Sequence, residues 1–121
     1  MTNERTLVLG ASTKPERYSY KAAKKLVEHG HEIVLLGRRE GEVADTAIQT
    51  SFENIEDIDT VTMYLGADNQ VGYYDDIIAL KPRRIIFNPG SENEELAVLA
   101  RKNEIEVEEA CTLVLLSMGN Y

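Results

Sequence analysis

Short runs of uninterrupted apolar residues limit the folds open to this chain: Leu7 to Leu9, Ile33 to Leu36 and Ile85 to Phe87. A strand with one wet face alternates apolar and polar side chains, so a continuous run belongs to a strand covered on both faces. Helical spacing separates most of these runs. Ala22, Ala23, Leu26 and Val27 form one stripe, Val71, Tyr74, Ile77, Ile78 and Leu80 a second, and Leu96, Leu99 and Ala100 a third. Strand and helix in alternation predict an α/β domain with an open, mostly parallel sheet of five or six strands and helices on both faces.

The boundaries follow from capping chemistry. Thr6 to Leu9 is the first strand, and Ser19 or a near neighbour caps a helix that runs to about His29 and ends at Gly30. From Glu40 to Asp57 the pattern weakens, with Ala47 and Ile48 as a short edge element. Asp59 to Leu65 reads as a strand, Asp68 or Asn69 as the cap of the next helix, and Lys81-Pro82 as its stop. Arg84 to Phe87 is the following strand. Ser91 and Glu94 have capping-box spacing, Ile105 and Val107 mark a last edge strand, and Cys111 to Met118 closes as a helix.

Parallel strands bring their carboxyl ends to one edge, where ligands of such sheets bind. Three loops fall there: Gly10–Arg17, Gly37–Gly41 and Asn88–Ser91. In the first, Gly10 makes the turn, Ala11 and Ser12 are small enough to admit a phosphate, Ser12 and Thr13 carry hydroxyls, and Lys14 and Arg17 add charge. The helix start beyond them, around Ser19, offers free N–H groups and the positive end of a dipole. This is an anion site without the G-x-G-x-x-G of dinucleotide binders, and an inert strand-to-helix turn is the alternative. At the end of the second strand, Gly37-Arg38-Arg39 places a basic pair where an NAD site needs an acid. That favours a ribose carrying its own phosphate, as in NADP or coenzyme A. Asn88, Pro89 and Gly90 form a turn that closes the far side of the cleft.

Charge distribution agrees. The chain carries −8 overall, yet residues 1–41 hold eight Lys/Arg against five Asp/Glu, and residues 42–121 hold five against sixteen. A small polyanion is drawn to the N-terminal third, while the overall sign disfavours general nucleic-acid binding. At 121 residues, 1–121 is expected to be one domain. With no apolar run of about 18 residues and no charged-then-apolar leader, neither membrane span nor secretion signal is indicated. A lone Cys111 suits a reducing, cytoplasmic setting, and oligomeric partners are not legible.

Other constellations carry less. Tyr20 and Lys24 have the Tyr-x-x-x-Lys spacing of one dehydrogenase class but lie in the first helix. His29 and His31 lack the partners of a metal site and read as surface residues. Cys111 has no histidine in the same loops to activate it and reads as structural.

Gly10-Ala11-Ser12 with Pro15, Arg17 and Ser19, His29-Gly30-His31, Asn88-Pro89-Gly90 with Glu94 and Glu95, and Cys111 together resemble the small stand-alone CoA-binding domain proteins. These are similar to the N-terminal domain of the succinyl-CoA synthetase alpha subunit. The resemblance implies a Rossmann-like three-layer sandwich that holds coenzyme A across those loops, generally without an assigned reaction. Where that family usually has Val-Asn-Pro after the second strand, this chain has Leu36-Gly37-Arg38, so Arg38 and Arg39 are expected to meet the ribose 3′-phosphate directly.

The expectation is non-catalytic binding of coenzyme A or an acyl-CoA, with the Gly10–Ser12 backbone and Lys14 receiving the diphosphate. An NADP-binding reductase and a ligand-free interaction module are the alternatives.

Overall fold

A computed structural model describes residues 4–121. It contains seven strands: β1 (Thr6–Leu9), β2 (Ile33–Leu36), β3 (Gly41–Val43), β4 (Thr46–Gln49), β5 (Thr60–Met63), β6 (Arg84–Phe87) and β7 (Glu106–Glu109). Four α-helices accompany them: α1 (Tyr18–Glu28), α2 (Tyr74–Leu80), α3 (Glu94–Lys102) and α4 (Thr112–Ser117). The sheet order is β3-β4-β2-β1-β5-β6-β7, and every pairing is parallel except β3 with β4. Without the β3 hairpin arm, the six parallel strands run 3-2-1-4-5-6 in chain order, the doubly wound Rossmann arrangement. The order reverses between β1 and β5, and a crevice opens there at the carboxyl ends.

The apolar runs have the burial they need. All residues of β1, β2, β5 and β6 are buried, and successive side chains serve opposite layers. Leu7, Leu9, Val61 and Met63 face a cluster completed by Ile77 of α2 and by Leu96 and Ala100 of α3. Val8, Ile33 and Leu35 face the other, completed by Ala23 and Leu26 of α1 and Leu116 of α4. These are the three layers.

Four boundaries differ from expectation, each for a local reason. The sheet has seven strands because Gly41 to Gln49 folds as a hairpin whose outer arm runs antiparallel. Helix α1 begins one residue before Ser19; Arg17 takes the cap position with no side-chain cap bond, and Ser19 is buried inside the first turn. Two 3₁₀ turns, Ala67–Asn69 and Val71–Tyr73, precede α2, so Val71 is 56% exposed and outside the stripe. Helix α3 is capped by Asn93, whose Oδ1 accepts from the Leu96 N–H at 3.2 Å, while the Ser91 hydroxyl donates to the Asn88 carbonyl at 2.7 Å.

His31 also departs from a plain surface role. Its Nδ1 accepts from the Glu4 N–H at 3.3 Å, and its ring meets Tyr121 edge-on at 4.9 Å. His29 is exposed. Among the described residues no group of three His, Cys, Asp or Glu side chains is placed to hold a metal ion, and no helix is long and apolar enough to cross a membrane.

Candidate functional site

A cleft of about 580 Å³ opens over the β1/β5 switch point. Gly10, Ala11, Ser12 and Thr13 line it from the turn after β1, with Lys14, Arg17 and Ser19 continuing that wall into α1. Arg38 and Arg39 face them from the end of β2, and Pro89 closes one side. Four basic residues from two loops therefore share one hollow, with Glu40 as the sole carboxylate on its described lining.

The turn after β1 is fixed by backbone chemistry. Gly10 adopts φ +103°, a conformation that a side chain resists, and a Cβ there would sit 3.2 Å from the Tyr64 carbonyl carbon. The N–H groups of Gly10 and Ala11 both donate to the Leu36 carbonyl at 2.9 Å, which ties the first loop to the end of β2. This corrects the expectation that the Gly10–Ser12 backbone as a whole receives a phosphate: two of its three donors are already spent. Donors for an anion come from further along. The first intrahelical bond of α1 runs from Lys21 N–H to the Arg17 carbonyl at 3.2 Å, so the amides of Tyr18, Ser19 and Tyr20 precede the ladder and no side chain caps them. Ser12 accepts the Lys14 N–H on its Oγ at 3.1 Å and keeps its own hydroxyl hydrogen to donate.

Gly37 lies outside the cleft lining and beneath the first loop. A Cβ on it would fall 2.4 Å from the Ala11 carbonyl oxygen, so only glycine lets the two loops meet. Asn88 and Gly90 are also absent from the lining. Asn88 is buried, donating through Nδ2 to Thr62 Oγ1 at 2.7 Å and to the Met63 carbonyl at 2.9 Å, while its Oδ1 accepts the Thr112 N–H at 2.8 Å. Its side chain joins β5 and β6 to α4 and has no donor left for a ligand. Of the third loop, Pro89 alone reaches the cleft. Cys111 is half-buried at the cap position of α4 and not on the lining.

The structure adds a wall that the sequence reading did not assign. Tyr64, Leu65, Gly66 and Asn69, following β5, also line the cleft, with Tyr64 and Leu65 directly beside Gly10 of the first loop. Burial raises the Tyr64 phenol far above its ordinary value, so it stays protonated. Asn69 accepts a hydrogen bond from Arg38 Nη2 on its Oδ1 at 3.3 Å, bridging the loops after β5 and β2. This wall is held from behind by Gln70, which is fully buried. Its Nε2 donates to the carbonyls of Leu65 at 2.9 Å and Ser91 at 2.8 Å, and its Oε1 accepts from Asn93 at 2.9 Å. The only hint of it in the sequence was position, since the strand beside the reversal in sheet order always contributes a loop to the crevice.

Comparison with known proteins adds to the geometry. The family model described as a CoA binding domain matches residues 4–117. Among solved structures, an uncharacterized protein is 46% identical with a TM-score of 0.96, and the alignment covers 100% of both chains. A hypothetical protein from Pyrococcus horikoshii OT3 is 22% identical with a TM-score of 0.87, covering 96% of this chain and 83% of that one. The acetyl-coenzyme A synthetase 1 of Ca. Korarchaeum cryptofilum, solved with phosphate and ADP, is 18% identical with a TM-score of 0.74. There the match covers 88% of this chain and 25% of the other.

Proposed function

Because this chain belongs to the CoA binding domain family, we propose that it binds coenzyme A or an acyl-CoA in the cleft at the β1/β5 switch point and has no catalytic activity of its own. In this reading the diphosphate lies at the uncapped start of α1, against the Ser12 and Thr13 hydroxyls, with Lys14 and Arg17 neutralising its charge. Arg38 and Arg39 meet the ribose 3′-phosphate. The observation that carries the reading is the convergence of Lys14, Arg17, Arg38 and Arg39 on one hollow in a chain whose net charge is −8. Anions are attracted to that edge and repelled by most of the remaining surface. Support for a binding role comes from the lining itself, where Lys14, Arg17, Arg38 and Arg39 outnumber the one carboxylate, Glu40.

Thermal denaturation tests this directly. A ligand at about 100 times its Kd stabilises the folded state by about 2.7 kcal/mol. CoA is expected to raise Tm by several degrees and NADPH to leave it unchanged; the opposite pattern supports an NADP-binding protein, and no shift with either supports an interaction module. Replacing Arg38 and Arg39 by alanine is expected to weaken CoA roughly 10- to 100-fold, the scale of lost charge-assisted hydrogen bonds, and dephospho-CoA far less. Equal losses refute the assignment of the pair to the ribose phosphate.

A further inference from the structure

Arg38 occupies an unusual position for an exposed arginine. Among the described residues no carboxylate lies within ion-pair distance of it, and its one side-chain partner is the neutral amide oxygen of Asn69, 31 residues away on the opposite wall. Glu40, two residues further on and on the same lining, does not pair with it. A guanidinium held by an amide keeps its whole charge for an incoming anion, whereas one held by a carboxylate has already spent it. One Nη2 hydrogen is engaged, and the N–H groups of Nε and Nη1 and the second Nη2 hydrogen remain as donors.

Asn69 itself is well placed to hold something still. It ends the 3₁₀ turn Ala67–Asn69, its N–H donates to the Gly66 carbonyl at 2.9 Å, and the next residue is the buried Gln70 that anchors the loop to the Leu65 and Ser91 carbonyls. The chain of support thus runs from the interior, through Gln70, to Asn69, to the Arg38 guanidinium over the mouth of the cleft.

We propose that Asn69 is a positioning residue that fixes Arg38 for a terminal phosphomonoester, and so sets the preference of the cleft for phosphorylated over unphosphorylated ribose ligands. This rests on the coenzyme reading above. An arginine left free must be immobilised on binding, at a cost that preorganisation by Asn69 removes. The effect belongs to ligands that engage Arg38 and to no others.

The test is isothermal titration of CoA and dephospho-CoA into the wild-type protein and the variants N69A, N69D, R38A and R38A/N69A. Immobilising one long side chain corresponds to an affinity change of about 3- to 10-fold, so N69A is expected to weaken CoA by that factor and leave dephospho-CoA within error. N69D is expected to weaken CoA more than N69A, because a carboxylate captures the guanidinium and repels the phosphate. In R38A the second change is expected to add nothing. The inference is overturned if N69A weakens both ligands equally, if it weakens neither, or if the double variant loses the product of the single losses. Failure of the wild-type protein to bind CoA overturns the coenzyme reading and this inference together; binding with an unchanged CoA to dephospho-CoA ratio in N69A overturns this inference alone.

Discussion

Gly37 shows how much of the site depends on single atoms. The Leu36 carbonyl accepts two N–H groups from the first loop at 2.9 Å, and that pair of hydrogen bonds holds Ala11 against the next residue, Gly37. Gly37→Ala would put a methyl group 2.4 Å from the Ala11 carbonyl oxygen, a contact that backbone on both sides cannot relieve cheaply. The expected cost is about 1 to 3 kcal/mol, read as a lower urea midpoint with an unchanged m-value, together with weakened CoA binding. The single glycine and the small residues of the first loop are legible in the sequence because their reason is local: strand, turn and helix start lie within fourteen residues. Asn88 is not. Its partners Thr62 and Thr112 are 26 and 24 residues away, and a turn-forming Asn-Pro-Gly looks the same whether its amide faces a ligand or the interior.

At the scale of elements, the apolar runs identified β1, β2 and β6, whereas β5 is as fully buried yet alternates Thr60 and Thr62 with Val61 and Met63. Of the β3/β4 hairpin, the short element at Ala47 and Ile48 was legible as β4, while the turn and the outer arm were not. Its two-residue turn places Ala44 and Asp45 at φ 50° and 61°, without the Asn-Gly or Asp-Gly that such a turn favours, and its arms have mixed polarity. The wall after β5 was likewise hidden, since the residue that builds it is a glutamine directed inward. Gln70 joins the loop after β5 to the loop after β6; its bonds to the Ser91 carbonyl and to Asn93 are buried, and that to the Leu65 carbonyl is partly buried. Gln70→Leu keeps the volume and removes every bond. Buried carbonyls left unpaired cost about 1 to 3 kcal/mol each, so a loss of about 2 to 4 kcal/mol is expected by chemical denaturation. Hydrogen exchange should rise in residues 65–73 and 88–93 before the rest of the sheet, and uniform acceleration throughout would show that Gln70 supports the core as a whole.

For the whole molecule, the ligand edge is one end of the sheet and a polar cluster closes the other. Arg84, 5% exposed, reaches Glu4 at 3.1 Å and Glu108 at 2.8 Å, donates to Thr60 at 3.1 Å, and lies 4.6 Å from the Tyr121 ring centroid. Tyr121 in turn bonds Thr6 and meets His31, so β1, β2, β5, β6 and β7 are all joined to the last residues of the chain at this end. Burial lowers the His31 pKa below 6.5, outweighing the attraction of Glu4. Burial alone would raise Asp59, but hydrogen bonds from Thr60 and Arg83 outweigh it and hold its pKa below 3.8. Both groups bind fewer protons folded than unfolded, so both contributions have the same sign: present at high pH and lost on acidification. They differ in window. The His31 contribution is complete above about 6.5 and declines as pH falls through the lower folded value, whereas that of Asp59 persists until pH drops below about 3.8. Burial pushes the Tyr121 phenol up to about 12, which contributes stability below pH 10 that is lost as pH rises toward 12. Tm measured from pH 12 to pH 5 should therefore decline above pH 10 and again through the histidine range, and His31→Phe should flatten the histidine limb while leaving the alkaline limb in place. A decline of equal slope in the variant would assign the histidine-range dependence to other groups and leave His31 a packing residue against Tyr121.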